Sequence, residues 1–302
     1  MQYQEDSVNL YSSNLDANTD MPGKNKQVAP NNSQRINNSS RSLVVVKIGG
    51  STFGSDDTTV ADLVKLQKQG FQPVVVHGGG KVVSEWLKKQ GIRPKFIRGL
   101  RVTDKNTLDV VVGVLTGLVN KNLVGEIVLR GGKAVGLSGV DGGILKADAE
   151  NPELGFVGTI KKVDVSALLD ILDGGSIPVL APVAIKQGSG DDPIQLLNIN
   201  ADIAAGEVAA ALKADRLIML TDVPGVLDSS RRVIQRLSQK QAKGLVESNI
   251  VAGGMVPKLE SCIKALEAVK ETFIVDGRKP HILLECFDKE TGNSFNNGTR
   301  VG

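Results

Sequence analysis

Histidine, cysteine and aromatic residues are scarce in this chain of 302 residues, and each scarcity excludes some chemistry. The only histidines are His77 and His281, and the only cysteines are Cys262 and Cys286. Ligands scattered singly in this way lack the spacing of a zinc site. The cysteines read as two reduced thiols in a cytoplasmic protein. Aromatics make up 3% of the sequence, too little for stacking on single-stranded nucleic acid. The net charge of +3 is too small to imply a nucleic-acid surface by itself. No run of ~18 apolar residues is present, so no membrane span is expected. Familiar signatures are missing too. There is no Gly-x-x-x-x-Gly-Lys-Ser/Thr phosphate loop and no Gly-x-Gly-x-x-Gly after a strand. There is no His-Arg-Asp, Asp-Phe-Gly or Gly-x-Ser-x-Gly motif either.

Glycine, in contrast, is plentiful at 34 residues, and it gathers where apolar runs end. Residues 1–41 are rich in Asn, Ser, Gln and Asp and poor in Val, Ile and Leu, which reads as a disordered tail. The tail lacks the apolar stretch of a secretory signal, and its acids Glu5, Asp6, Asp16 and Asp20 argue against an organelle transit peptide. From residue 43 strands and helices alternate. Strands are expected at 43–48, 73–77, 134–137, 177–181, 216–221 and 272–275. Helices are expected at 58–69, 82–90, 163–172, 201–212, 239–247 and 257–269, with one or two more within 101–129. Such alternation implies βαβ units and a mainly parallel sheet, with ligands at the carboxyl ends of the strands.

The glycine clusters fall at those ends. Val-Val-Val-Lys47-Ile-Gly49-Gly50-Ser51 closes the first strand. A lysine ending an apolar strand is costly to bury unless an anion meets it. Glycines there let the backbone approach that anion, although a Gly-Gly pair alone often makes only a turn. His77-Gly78-Gly79-Gly80 offers successive amides and then a helix N-terminus. His77 itself reads as a structural histidine. Arg101 is a candidate two-pronged carboxylate clamp, with a surface arginine as the plain alternative. In Asn198-Ile-Asn200-Ala-Asp202, Asn198 and Asn200 share a direction if the segment is extended. Asp202 either acts in a site or simply caps the following helix. Thr221-Asp222-Val-Pro-Gly is a loop suited to a nucleotide or merely a turn. Gly253-Gly-Met-Val-Pro-Lys258 sets a second lysine at a helix start.

Taken in order, Lys47-Ile-Gly-Gly, His77-Gly-Gly-Gly, Gly99-Leu-Arg-Val-Thr-Asp, Asn198-Ile-Asn-Ala-Asp, Thr221-Asp-Val and Gly253-Gly-Met-x-Pro-Lys258 resemble the acetylglutamate kinases of the amino-acid kinase family. The resemblance runs over residues 43–299. It implies a three-layer α/β/α sandwich around one large, mainly parallel sheet. It implies one domain over 42–302, in which about 42–195 binds the amino acid and about 196–302 binds ATP. The implied reaction is ATP-dependent phosphorylation of the γ-carboxylate of N-acetyl-L-glutamate, in arginine synthesis. By motif, Lys47 and Lys258 would stabilise the transferring phosphoryl and Asp202 would hold both lysines. Gly49, Gly50, Gly78 and Gly79 would supply amides. Leu100, Arg101, Asn198 and Asn200 would line the substrate site, while Ser51, Thr221 and Asp222 would meet the nucleotide. Mg²⁺ would ride on the nucleotide phosphates with no protein ligand assigned. A homo-oligomer is implied, a dimer or a hexamer, although 1–41 shows no amphipathic stripe. The stretch 276–299 resembles the region that binds inhibitory L-arginine in some members. Ser51-Thr52 departs from the Asn-Ala that many members carry. The chemistry agrees, because a carboxylate with a pKa of about 4.3 is already ionised and needs no general base. Two other readings remain: a sister kinase acting on another carboxylate, such as carrier-linked aminoadipate or glutamate, and a non-catalytic amino-acid or nucleotide sensor acting through partner binding.

Overall fold

The structure is a computed structural model, and it describes residues 42–49, 58–188, 193–287 and 295–302. The 1–41 tail, Gly50, Ser51 and Thr52 lie outside the described residues.

Along the chain the first elements are β1 (Leu43–Ile48), α1 (Thr59–Lys68), β2 (Gln72–His77) and α2 (Gly80–Lys89). A small hairpin follows, β3 (Phe96–Ile97) and β4 (Leu100–Arg101). A long helix is wound as α3 (Lys105–Val112), a π turn (Gly113–Val119) and α4 (Asn120–Leu129). Next come β5 (Ala134–Ser138), β6 (Leu145–Asp148), β7 (Thr159–Val163), α5 (Ser166–Asp173), β8 (Ile177–Ala181), β9 (Val183–Lys186) and β10 (Leu196–Asn198). The C-terminal part holds α6 (Ala201–Leu212), β11 (Arg216–Thr221), β12 (Arg236–Leu237), α7 (Gln239–Glu247) and α8 (Met255–Ala265). It ends with β13 (Glu271–Asp276), α9 (Ile282–Glu285) and β14 (Gly298–Val301).

Eight strands form the central sheet in the order β12-β14-β13-β11-β1-β2-β8-β5. Every pairing in it is parallel except β13 with β14. Alternation along β1 builds the three layers. Val44, Val46 and Ile48 point into one core with Leu63, Leu123, Ile127 and Ile282, from α1, α4 and α9. Val45 points into the other core with Leu168, Ala204, Ala205 and Leu259, from α5, α6 and α8. Each fully buried valine or leucine contributes about 1.5–3 kcal/mol of apolar burial.

Several boundaries differ from the sequence expectation. The predicted helix at 163–172 starts at Ser166, because 159–163 is a strand. The helix expected from 82 starts at Gly80, and Arg101 is strand rather than helix. The last long helix begins at Met255, which puts Pro257 in its third position. A second sheet, β10-β9-β6-β7, was not anticipated. β6 and β7 carry Lys146, Lys161 and Lys162, which break their apolar alternation, and β9 and β10 are apolar but only four and three residues long, too short to read as strands. Lys105–Leu129 is, among the described residues, the one helix long and apolar enough to cross a membrane. One face of it packs into the fold, with Leu108, Val111, Leu115, Leu123 and Ile127 buried, while Lys105, Asp109 and Lys121 on the other are exposed.

Candidate active site

Strands β11, β1 and β2 are adjacent and parallel, so their carboxyl ends open side by side. Lys47 shares its side of the sheet with Val45, and α6 packs on that side. The side chain therefore reaches α6, where its Nζ lies 2.8 Å from Asp202 Oδ1. Lys258 Nζ lies 3.1 Å from the other oxygen, Oδ2, and donates to it. Oδ1 itself has no hydrogen bond of good geometry, so its tie to Lys47 is an ion pair.

Local packing explains this meeting. Gly206 lies one turn beyond Asp202 in α6, and a Cβ there would come within 2.9 Å of the Ser261 carbonyl. Glycine thus lets α6 and α8 approach closely. That contact brings Asp202 beside Lys258, three residues before Ser261. Asp202 does not cap α6, contrary to one of the two sequence readings. Asn200 does so, with Oδ1 accepting from the backbone N–H groups of Asp202 at 2.8 Å and Ile203 at 3.2 Å. Asp202 is thereby left to the lysines.

The electrostatics follow from burial. Burial pushes the Lys47 ammonium below its usual range and Lys258 adds to this, with Asp202 pulling the other way. For Asp202, burial favours the neutral acid, but Lys47 and Lys258 outweigh it and hold the carboxyl below its ordinary value. Two cations on one buried carboxylate leave a net positive charge, which is an anion site.

That charge borders a cavity of about 210 Å³. Lys47, Gly78, Gly79, Leu100, Arg101, Asn198, Asn200 and Asp202 all line it. Arg101 is 9% exposed and held from three sides. Its Nη2 donates to the Gly80 carbonyl at 2.8 Å and to Ser84 Oγ at 3.0 Å, and its guanidinium lies 4.8 Å from the Phe96 ring centroid. Nη1 is buried without a partner, and burial lowers the guanidinium pKa. A buried donor left unpaired costs about 1–3 kcal/mol, which a bound carboxylate would recover. Asn198 donates from Nδ2 to Thr103 Oγ1 at 3.1 Å, tying β10 to the hairpin segment. Asp104, at the end of the same motif, caps α3 by accepting from the Thr107 N–H.

On the other side of the lysines, Gly49 is buried just after β1. Thr221 is buried at the end of β11, where its carbonyl accepts from the Gly277 N–H, and Asp222 beyond it is exposed. Gly50 and Ser51 fall outside the described residues. Lys258 also donates to the Gly254 carbonyl of its own glycine turn. Among the described residues there is no group of three His, Cys, Asp or Glu side chains able to hold a metal ion. Both cysteines are buried free thiols, with Cys262 pushed up to about 12 by burial, which leaves it unreactive.

Sequence reasoning missed Phe96, Ser84, Thr103 and Asn120. Thr103 lay within a recognised motif, and Phe96 was findable as a rare aromatic beside it. Asn120 gave no signal, because a polar residue inside a helix normally reads as surface.

A sequence profile of the amino acid kinase family matches residues 42–276. The chain belongs to the amino acid kinase family. Within it, the chain is similar to the acetylglutamate kinase of Cereibacter sphaeroides, at 46% identity over 254 residues, or 82% of this chain and 85% of the relative. It is similar to that of Rhodopseudomonas palustris at 45% identity over 265 residues, covering 82% and 87%. Among solved structures it is similar to N-acetylglutamate synthase from Neisseria gonorrhoeae, in complex with coenzyme A and N-acetyl-glutamate. That likeness has a TM-score of 0.73 at 25% identity and covers 86% of this chain and 59% of the other. The α/β fold with its large, mostly parallel sheet is that of the family.

Proposed function

We propose that this amino acid kinase transfers the γ-phosphoryl group of ATP to the γ-carboxylate of N-acetyl-L-glutamate, forming N-acetylglutamyl 5-phosphate and ADP in arginine biosynthesis. One observation carries the reading: two lysines share a single buried carboxylate beside a cavity that holds an arginine nitrogen without a partner. The curated relatives of acetylglutamate kinase name support the same reaction.

In this reading residues 42–195 supply most of the amino-acid pocket and 196–302 the nucleotide side. Arg101 and Asn198 hold the amino acid, with Leu100 and Asn200 forming part of the wall. A carboxylate oxygen attacks the γ-phosphorus, and the bond from phosphorus to the ADP oxygen breaks. The nucleophile is already ionised, so no proton has to be removed first. The difficulty is bringing two anions together, and the chain's answer is positive charge fixed in advance. Lys47 faces the phosphoryl from the β1 side and Lys258 from the α8 side. Asp202 keeps both in place and prevents their mutual repulsion. The Gly79 amide adds a donor, with Gly49 beside it, whereas the Gly78 N–H expected from the motif is already given to the Ile48 carbonyl at 2.8 Å. Thr221 and Asp222 serve the nucleotide, and Gly50 and Ser51, given like roles by the motif, lie outside the described residues. Mg²⁺ bound with the nucleotide phosphates would neutralise part of their charge. Asp202 is committed to lysines, which fits a metal held by phosphate oxygens rather than by a protein cage.

A homo-oligomer and feedback by L-arginine belong to the same proposal, and both rest on the motif resemblance. Trapping the acyl phosphate with hydroxylamine tests the reaction. Hydroxamate is expected with N-acetyl-L-glutamate, ATP and Mg²⁺, and not with glutamate or aminoadipate in its place. A signal from another acid alone would overturn the substrate, and silence with all three would overturn the reaction.

A further inference from the structure

His77 and Asn120 are both fully buried and lie against the glycine loop without entering the cavity. His77 ends β2 on the side of the sheet opposite Lys47, facing α4. Its Nδ1 lies 2.8 Å from the Gly78 carbonyl, and its Nε2 lies 3.1 Å from Asn120 Nδ2. Asn120 Nδ2 also meets the Val179 carbonyl at 2.8 Å and the Leu137 carbonyl at 3.3 Å, while Lys121 Nζ donates to Asn120 Oδ1 at 3.0 Å.

These partners leave one consistent assignment of protons. Two carbonyls and a lysine fix which end of the Asn120 amide is nitrogen. That nitrogen donates to Nε2, so Nε2 is the acceptor and the ring proton sits on Nδ1. Nδ1–H then donates to the Gly78 carbonyl. Burial pushes the imidazole pKa down to about 4, so the ring is neutral at ordinary pH.

The consequence passes through one peptide plane. The C=O and N–H of a trans peptide point in opposite directions. Holding the Gly78 carbonyl on the His77 ring therefore directs the Gly79 N–H away from the ring. Gly80, the next residue, has its carbonyl held by Arg101. The π turn completes the device: Leu115 and Val119 press on Gly79 so closely that a Cβ there would lie 2.6 Å from Leu115 Cδ2. The same turn delivers Asn120, the first residue after it, to His77. Winding of this kind is frequent at functional sites.

We propose that His77 and Asn120 are positioning residues that orient the Gly78–Gly79 peptide so that the Gly79 amide donates to the reacting anion. The inference rests on the phosphoryl-transfer reading above. His77 acts only through the peptide and takes no proton from substrate.

Two measurements test it. The first uses the unaltered protein labelled with ¹⁵N-histidine, whose two histidines are separable by mutating His281. A neutral Nδ1–H tautomer at His77 throughout pH 6–8.5 is expected, and an Nε2–H tautomer or an imidazolium would overturn the proposal whether or not the protein is a kinase. The second compares His77→Leu with His77→Asn, whose amide nitrogen can replace the Nδ1 donor. His77→Leu should lose about 10²-fold in kcat, the scale of a misplaced catalytic group. KM for both substrates should change less than about 3-fold, because the amide acts on the transition state. His77→Asn should recover most of kcat. Equal losses in the two variants, with native circular dichroism in both, would overturn the positioning role. Absence of hydroxamate in the unaltered protein would instead count against the reaction itself.

Discussion

Strands β1 and β2 are neighbours with nearly the same sequence, Val-Val-Val-Lys47-Ile-Gly49 and Val-Val-Val-His77-Gly78, yet their polar residues have opposite fates. In the pairing register Lys47 lies opposite Val76, and Ile48 opposite His77. One residue of offset flips a side chain to the other face of a sheet. Lys47 therefore reaches α6 and the cavity, whereas His77 turns to α4 and supports the loop from behind. The same apolar run thus delivers a charge to the site in one strand and a neutral brace in the next. Position relative to the glycine, not residue type alone, separates the two roles.

The comparison can be broken first at Asp202, the partner of Lys47. Asp202→Ala leaves the buried Lys47 ammonium unpaired, and Lys258 with only the Gly254 carbonyl, and should cost about 3–5 kcal/mol in stability, read by urea denaturation. An unchanged midpoint would mean that the lysines relax into solvent. Lys47→Ala or Lys258→Ala should lower kcat by roughly 10²–10³-fold, with KM for N-acetyl-L-glutamate little changed. Matching changes in kcat and KM would remove the distinction between a charge used in the transition state and a plain binding contact. Arg101→Ala should act the other way, raising KM for the amino acid by roughly 10–100-fold, the worth of a charge-assisted hydrogen bond.

The brace has its own pH signature. His77 is held near pKa 4 against 6.5 in the unfolded chain. Protons then bind the unfolded state preferentially between those values. Stability should be fully present above about pH 6.5 and fall toward pH 4 by at most ~1.4 kcal/mol per unit. Lowering of the Asp202 carboxyl adds a loss in the acid range, as pH falls through its depressed value. In His77→Asn the first of these slopes should vanish, and its persistence would assign it to another group. The smallest effect is expected at Asn200→Ala, about 1 kcal/mol for the lost helix cap, with Lys47 and Lys258 still paired to Asp202. Thermal unfolding at pH 7.5 would show it.

Much of the site was legible because strand ends and glycine clusters coincide in the sequence. Lys47, Gly78, Gly79, Leu100, Arg101, Asn198, Asn200 and Asp202 were named from motifs, and the structure places them around one cavity. Lys258 joins them through Asp202. The second sheet escaped notice because strands of three to five residues, two of them interrupted by Lys146, Lys161 and Lys162, carry too weak an alternation. The choice between Asn200 and Asp202 as helix cap was also beyond reach, since both residue types cap well.

The sequence by itself determined the alternating elements, the parallel sheet and the lysine–glycine chemistry, because periodicity and glycine placement act locally along the chain. Only the tertiary structure decided that Asp202 joins two lysines from opposite ends of the chain, since that depends on Gly206 letting two helices approach. It alone decided that Asn120 stands behind His77, because the π turn rotates a helix position inward that ordinary 3.6-residue spacing does not reveal.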